Sequence, residues 1–271
     1  MNIQSYACFC RDNTAFGNLA AIVQNYEGDD SEKQALAAKL NLPVTVFIET
    51  ESADMPTLRF FYPKTEMPLC LHGTLAAGKL LMQLRNIDAL QVQTQSKQIL
   101  HLMRNGDRVQ VLMRQAEILP VKVDAAKIST LLNIADEQID WRFPCTVASL
   151  GSPKLLVPVK SAAILKSLKP NFDLVKKWSI QHEVNGLYVY SAYAPSGVDF
   201  IARGFNPKGG WNEDAATGVA AGALISILPG EGQKDFVIDQ GDTMGEPSRI
   251  YISLAEDGVL VGGEIHVVGA L

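Results

Sequence analysis

Three side chains whose chemistry suits proton transfer stand just before two predicted helices. Cys70 and His72 precede a helix predicted to begin at Thr74, and Asp214 precedes one predicted to begin at Thr217. Histidine titrates near neutral pH, a thiol at a helix N-terminus can have a depressed pKa, and a carboxylate there is favoured in its charged form. The sequence therefore predicts His72, Asp214 and Cys70 as catalytic acid–base groups. The alternatives are a structural hydrogen bond for the histidine, a helix cap for the aspartate and apolar packing for the cysteine.

The two predicted helix starts also suit the binding of an anion. Threonine and glycine there can leave backbone N–H groups pointing at a ligand, and the positive end of the helix dipole adds to the attraction. Gly73 and Thr74 in the first helix, and Thr217 and Gly218 in the second, are therefore candidate ligands for a carboxylate. Ordinary N-capping by the threonines is the alternative. Asn18 is a further candidate, which could hold polar groups of a substrate or make a turn.

The residues around these groups occur twice in similar form. Residues 58–81 read LRFFYPKTEMPLCLHGTLAAGKLL and residues 202–225 read ARGFNPKGGWNEDAATGVAAGALI; at an offset of 144 positions, eight of the 24 are identical. Each copy predicts a strand, a proline-containing turn, a polar loop and an apolar helix. At this offset Cys70 matches Asp214. The pattern predicts a duplicated chain with two similar halves.

Each predicted helix contains an Ala-Ala-Gly step, which ends at Gly78 in the first copy and at Gly222 in the second. Glycine in a helix interior costs about 1 kcal/mol relative to alanine. Close approach by a neighbouring backbone would offset this cost, as for a helix enclosed by a curved sheet. A plain buried helix with small residues is the alternative.

The order of predicted elements indicates the fold class and a division of the chain. Predicted strands outnumber predicted helices roughly two to one, which favours an α+β fold with mostly antiparallel sheet over a doubly wound parallel sheet. The stretch around Pro120 is the best candidate boundary, with an N-terminal half at residues 1–117 and a C-terminal half at residues 118–261. The last strand, residues 262–271, is a candidate to complete the first half.

The composition restricts the classes of partner. The 271 residues are 47% hydrophobic and 20% charged, with a formal net charge of −5, which argues against nucleic-acid binding. The cysteines show no paired CxxC spacing, so no metal site is predicted, and nucleotide-binding fingerprints are missing. No signal peptide is recognisable, and the longest apolar run, Val219–Leu228, is about half as long as a membrane span requires. We therefore expect a cytoplasmic protein that needs no metal or other cofactor and has neither nucleic-acid nor membrane partners.

Together these motifs resemble the PhzF-like family, the phenazine-biosynthesis isomerases related to diaminopimelate epimerase. The matching stretches span nearly the whole chain: Phe16–Asn18, Asn41–Phe47, Arg59–Pro63, Glu66–Ala77, Asp199–Leu224, Gly245–Ser248 and Val261–Gly263. The resemblance implies a diaminopimelate epimerase-like fold of two pseudosymmetric halves, each a curved, mostly antiparallel, barrel-like sheet around a central helix, with the active site between them. It also implies a homodimer and proton transfer on a small carboxylated substrate without metal, pyridoxal phosphate or nucleotide. Carried over by position, His72 and Asp214 match the family's histidine and aspartate.

The sequence departs from the family pattern at four positions near these residues. Val44 stands where the family has its catalytic glutamate, Val219 replaces a serine, Leu71 a glycine and Ala215 a proline. Valine can neither accept nor donate a proton. Two functions therefore remain open: a cofactor-independent isomerase or epimerase that moves a proton on a small carboxylate-bearing metabolite, and a catalytically silent protein that binds a small anion.

Overall fold

The computed structural model describes residues 1–12, 14, 16–50, 53–228 and 232–271 of the chain. These residues form two compact units: Met1–Leu112 together with Gly262–Leu271, and Met113–Val261. Each unit contains β-strands in both parallel and antiparallel pairs and a buried helix, which confirms the predicted α+β class. In the part of the chain that is described, no helix is long and apolar enough to cross a bilayer.

The first unit is built on a mixed sheet. Its strands are β1 (Asn2–Cys10), β2 (Asn18–Gln24), β3 (Val44–Glu49), β4 (Thr57–Tyr62), β5 (Thr65–Met67), β6 (Ala89–Thr94), β7 (Ile99–Asn105) and β8 (Arg108–Met113), and its helices are α1 (Asp30–Leu40) and α2 (Leu71–Arg85). The last strand of the chain, β17 (Gly258–Ala270), starts in the second unit and then pairs antiparallel with β1. The residues predicted as a strand at the C-terminus thus lie beside the first strand.

The second unit combines a mixed sheet with more helices. Its strands are β9 (Glu117–Leu119), β10 (Thr146–Ser149), β11 (Lys154–Pro158), β12 (Leu187–Ser191), β13 (Phe200–Asn206), β14 (Trp211–Asp214), β15 (Asp235–Gln240) and β16 (Ser248–Ala255), and its helices are α3 (Ala125–Leu132), α4 (Ala162–Ser167), α5 (Phe172–Gln181) and α6 (Gly218–Ile227). Apolar residues of α3, α4 and α5 pack against one face of this sheet, where they meet Leu155, Val157, Leu187 and Val189. Because side chains alternate along a strand, residues 154, 156 and 188 lie on the opposite face.

Local sequence explains where several helices begin and end. The carboxylate of Asp29 accepts the backbone N–H of Glu32, and the Glu32 side chain accepts the N–H of Asp29, so α1 starts in a capping box. The helices α1, α2 and α3 each end at an asparagine in the left-handed conformation, namely Asn41, Asn86 and Asn133. Asparagine tolerates this conformation better than most residues.

The two units share one strand topology. In the first, β1–β2 is antiparallel, β2–β3 parallel, β3–β4 antiparallel, β4–β6 parallel and β6–β7 antiparallel. In the second, β10–β11, β11–β12, β12–β13, β13–β15 and β15–β16 follow the same sequence of directions. The buried helices α2 and α6 occupy the same place in this order. The duplication predicted from the repeated residues is therefore present in the fold.

Equivalent arginine–glutamate pairs anchor the hairpin that precedes each buried helix. Arg59 on β4 binds Glu66 through Nε–Oε1 and Nη2–Oε2 contacts of 2.8 and 2.9 Å. Arg203 on β13 binds Glu213 in the same two-point manner, at 2.8 and 2.7 Å. Such bidentate pairs combine geometric specificity with strength. Glu66 is thus fixed to the sheet.

These pairs show that the gapless match of the two copies fails in the loop. Phe60 pairs with Met67 across the first hairpin, and Gly204, its repeat equivalent, pairs with Asp214 across the second. The strand register therefore equates Asp214 with Met67, although the helix register equates it with Cys70. The reason is a second turn that is three residues longer, followed by a helix that begins one turn later.

The Ala-Ala-Gly steps lie where each buried helix meets its sheet most closely. A Cβ atom on Gly78 would come within 2.4 Å of Leu102 Cδ2, and one on Gly222 within 2.7 Å of both Leu150 Cδ1 and Val261 Cγ2. Neighbouring side chains thus fill this space, rather than the backbone that the sequence suggested. The strands β1, β2, β3, β4, β6 and β7 all contact α2, so the helix is enclosed by the sheet of its own unit.

Candidate active site

In the first unit, a thiol and an imidazole meet at the start of α2. The helix begins at Leu71, three residues earlier than predicted, which makes Cys70 its N-cap. Cys70 Sγ lies 3.3 Å from Nδ1 and 3.8 Å from Nε2 of His72. Both side chains are buried. The structure therefore brings together the two predicted acid–base residues of this unit.

Burial determines the charge state of this histidine. It lowers the pKa of His72 to about 4, while a hydrogen bond to the backbone of Leu19 favours the protonated form. The imidazole is therefore neutral at physiological pH. A neutral imidazole carries one N–H and one acceptor nitrogen. When the N–H is given to the Leu19 carbonyl, the other nitrogen can accept the S–H of Cys70.

Residues from β1 and β2 hold this pair in place. The Cys8 thiol donates to the carbonyl of His72 at 3.2 Å, and burial raises the pKa of Cys8 well above its ordinary value. Cys8 pairs with Asn18 across the β1–β2 ladder, and Asn18 is buried. The candidate Asn18 therefore lies one residue from Leu19 and opposite the thiol that supports His72.

The first turn of α2 uses some of the predicted anion ligands internally. The Thr74 hydroxyl donates to the carbonyl of Cys70 at 2.8 Å, and the Thr74 N–H donates to the same oxygen at 2.9 Å. Thr74 is therefore not an N-cap. No side chain among the described residues makes a capping hydrogen bond here, and the N–H groups of Leu71, His72 and Gly73 precede the first intrahelical bond.

Val44, which the resemblance matches to the catalytic glutamate of the PhzF-like family, lies directly at this helix start. A Cβ atom on Gly73 would come within 2.7 Å of Val46 Cγ2 and 3.2 Å of Val44 Cγ1. Val44 is 0% exposed. An acidic side chain at position 44 would therefore point to the first turn of α2, whereas valine makes that wall apolar.

In the second unit, Asp214 is oriented by hydrogen bonds from two partners. Thr217 Oγ1 donates to Oδ2 of Asp214 at 2.7 Å, and Gln240 Nε2 donates to the Asp214 carbonyl at 2.7 Å. Gln240 also accepts the N–H of Thr217 at 3.1 Å. Thr217 is the N-cap position of α6, but its side chain makes no capping bond. The hydroxyl thus serves the carboxylate, and Gly218 follows as the first helical residue.

Three further polar residues of this unit were not predicted from the sequence. Gln240 ends β15, and Lys154 and Tyr188 lie on the face of the sheet opposite α3–α5. All three are buried. The signal was weak, because each stands in a strand far from Asp214 in sequence. In the described part of the chain, no group of three or more His, Cys, Asp or Glu residues could hold a metal ion.

The fold and these residues define the class of protein: an α+β protein with a duplicated unit and acid–base side chains at the starts of its buried helices. The chain belongs to the phenazine biosynthesis-like protein family, whose family model matches residues 6–268. A relative from Deinococcus radiodurans, an uncharacterized isomerase, is 32% identical over 90% of this chain and 84% of its own. The trans-2,3-dihydro-3-hydroxyanthranilate isomerase of Pseudomonas chlororaphis is 28% identical over 83% of this chain and 81% of its own.

A solved structure agrees with this assignment at the level of the fold. The phenazine biosynthesis protein of the PhzF family from Bacillus anthracis superposes with a TM-score of 0.87, covering 100% of this chain and 98% of that one, at 20% sequence identity. The predicted resemblance to the PhzF-like family is confirmed, as is the predicted isomerase class of enzyme.

Proposed function

We propose that this protein is a cofactor-independent isomerase that moves a proton on a small carboxylate-bearing metabolite. Membership of the family supports isomerase chemistry. The observation that carries the proposal is the 3.3 Å contact between Cys70 Sγ and Nδ1 of His72 at the start of α2. A thiol held against a neutral imidazole can give up a proton and regain one, which general acid–base catalysis requires.

Asp214 is the proposed partner base. Its carboxylate accepts a proton from a substrate carbon while the Thr217 hydroxyl holds Oδ2 in place. The Cys70–His72 pair returns a proton to the same or a neighbouring carbon. The cycle closes when Asp214 releases its proton to water and the pair takes one up, so no electron acceptor or metal is needed.

The substrate carboxylate would bind to backbone N–H groups. Those of Leu71, His72 and Gly73 precede the first hydrogen bond of α2, and that of Gly218 begins α6. Helix N-termini favour negative charge. Asn18, which is buried and pairs with Cys8 on β1, provides an amide as a further proposed substrate ligand. Thr217 acts through Asp214 in this scheme.

The substrate class is a small molecule whose carboxylate is close to an acidic C–H bond. The trans-2,3-dihydro-3-hydroxyanthranilate used by the Pseudomonas chlororaphis relative belongs to this class, although Val44 takes the place of the family glutamate.

We further propose a cytoplasmic homodimer, which sedimentation of the purified protein and fractionation of its cells would test.

A second function is favoured by the same valine. Val44 is fully buried against Gly73, so the helix start could bind an anion without the acid–base group that the family uses. In that case the protein would bind a carboxylate and leave its C–H bonds intact.

Solvent deuterium exchange separates the two functions. The protein is incubated in D2O with amino acids, hydroxy acids and trans-2,3-dihydro-3-hydroxyanthranilate, and incorporation is followed by mass spectrometry. The isomerase proposal predicts incorporation that an Asp214→Asn variant and a Cys70→Ala variant lose. Calorimetric binding of a compound with no incorporation above these variants would instead establish a binding protein.

A further inference from the structure

A lysine is buried on the sheet face that carries Asp214. Lys154 begins β11 and is only 4% exposed. Its neighbours Leu155 and Val157 pack against α3–α5, so Lys154 points to the other face. Its Nζ donates to the carbonyl of Asn185 at 2.5 Å. A single carbonyl is little compensation for a buried ammonium group.

The strand register connects this face to Asp214. Leu156, two residues beyond the lysine, pairs with Tyr188; Tyr188 pairs with Gly204; and Gly204 pairs with Asp214. Paired residues project on the same face of a sheet. A Cβ atom on Gly204 would come within 2.4 Å of Thr217 Oγ1. The lysine, the tyrosine, the aspartate and its threonine partner therefore share one face.

The pKa of Lys154 depends on its burial and on the charge of Asp214. Desolvation lowers the pKa of Lys154 to about 8, and the negative charge of Asp214 opposes that shift. Among the described residues, the carbonyl of Asn185 accepts from the ammonium group, the charge of Asp214 from β14 acts on it, and Tyr188 from β12 lies on the same sheet face. The Tyr188 hydroxyl is buried without a hydrogen-bond partner among the described residues, and burial, together with the charge of Asp214, raises its pKa. Tyr188 therefore stays neutral, and Lys154 supplies a positive charge on this face.

We propose that Lys154 is a positioning residue for Asp214: the buried ammonium group of Lys154 is the counter-charge that keeps the Asp214 carboxylate ionised until it accepts a substrate proton. This inference rests on the proposed function of Asp214 as a base. The lysine need not touch the substrate, since it acts through the carboxylate. It also explains why a costly charge is buried on this face.

The first test measures the coupling without any substrate. The protein is prepared with labelled lysine, and the titration of Lys154 is followed by NMR in the wild type and in Asp214→Asn. Asparagine keeps the shape of the side chain and a group that can accept from Thr217. We expect Lys154 to titrate near pH 8 in the wild type and at lower pH in the variant, because its counter-charge is gone. The same titration in both proteins would overturn the inference.

The second test measures the consequence for proton transfer. In Lys154→Met, the acid limb of the deuterium-exchange profile should move to higher pH by about one unit, because a carboxylate without its counter-charge ionises less readily. Lys154→Arg should restore the limb, and the exposed Lys160→Met should leave it unchanged. An unshifted limb in a folded Lys154→Met protein would overturn the inference. If no substrate exchanges at all, the proposed function fails, and the NMR titration still decides whether Lys154 and Asp214 are coupled.

Discussion

Thr217 donates its hydroxyl hydrogen to Oδ2 of Asp214 at 2.7 Å, although it occupies the N-cap position of α6. A threonine there commonly accepts an N–H of the helix instead. Its own N–H is given to Gln240, whose amide also binds the Asp214 carbonyl. The start of α6 thus fixes the carboxylate at the expense of a capping bond.

Removal of this hydroxyl should weaken catalysis by Asp214. A hydrogen bond to a charged group contributes about 1.5–3 kcal/mol, so Thr217→Val should lower the exchange rate by roughly 10- to 100-fold. Thr217→Ser keeps the hydroxyl and should retain most of the activity. Rates in D2O for the three proteins check this expectation, and equal rates for valine and threonine would contradict it.

The buried histidine should make stability depend on pH in the acid range. The unfolded chain protonates His72 near pH 6.5 and the folded protein only near 4. The unfolded state therefore binds more protons in between, and the histidine's contribution to stability falls as the pH drops from 6.5 to 4, by about 3 kcal/mol for a shift of this size. Denaturant unfolding of the wild type and of His72→Gln between pH 4 and 7 measures this contribution. It is confirmed if the wild type loses stability more steeply than the variant, and it is wrong if the two curves run parallel.

Cys70 should matter more than the other thiols. We expect Cys70→Ala to reduce deuterium exchange by about 100-fold or more, the range of a lost acid–base group. Cys145→Ser is a matched control, because Cys145 lies in the second unit and burial raises its pKa to about 12. A Cys70→Ala protein with wild-type exchange would remove the thiol from the mechanism and leave His72 as the acid.

A carboxylate at position 44 should change the activity. Val44 contacts the space beside Gly73 at the start of α2, so Val44→Glu would place an acid–base group at the position that the resemblance matches to a glutamate of the PhzF-like family. We predict new or altered turnover of trans-2,3-dihydro-3-hydroxyanthranilate, the compound named for the Pseudomonas chlororaphis relative. Val44→Gln has the same shape without the titratable group and should lack the effect. Identical product profiles for both variants and the wild type would contradict the prediction.

The tight contact of α6 with its sheet should outweigh helix propensity. Alanine is about 1 kcal/mol better than glycine in a helix, yet a Cβ on Gly222 would press on Leu150 and Val261. Overpacking of a core costs about 1–3 kcal/mol, so Gly222→Ala should lose roughly 1 kcal/mol overall. Gly269→Ala is the control, since a Cβ atom there would meet no other described atom within 4 Å. Denaturant midpoints give the comparison, and a more stable Gly222→Ala would contradict it.

Local patterns were sufficient to predict the architecture. The repeated residues predict the duplicated fold, because each copy contains the pattern of a strand, a hairpin and an apolar helix in the same order. The side chains of Cys70 and His72 could also be recognised, since both stand at one predicted helix start. The resemblance to the PhzF-like family supports His72 and Asp214 as catalytic residues, and this role stays a prediction.

The start of α2 and the polar residues around Asp214 depend on tertiary contacts, which the sequence did not predict. The start of α2 lies at Leu71 because the residues before Thr74 are buried with the helix, and no capping signal marks that point. Gln240 lies on another strand and donates a hydrogen bond to the Asp214 carbonyl. Lys154 lies on the same sheet face as Asp214 because of the way in which β11, β12, β13 and β14 pair. Such contacts depend on how distant segments pair, which residue types and spacing do not reveal.

The return of β17 to pair with β1 gives the chain a distinctive order of assembly. β1 pairs with β2, which follows it directly in the chain, and it also pairs antiparallel with residues 264–270 of β17, which come from the other end of the chain. During synthesis the β1–β17 pairing therefore forms only after the ribosome has passed through the second unit. A nascent chain stalled before residue 262 would lack the β1–β17 pairing, and an unpaired strand edge is a route to aggregation with other molecules.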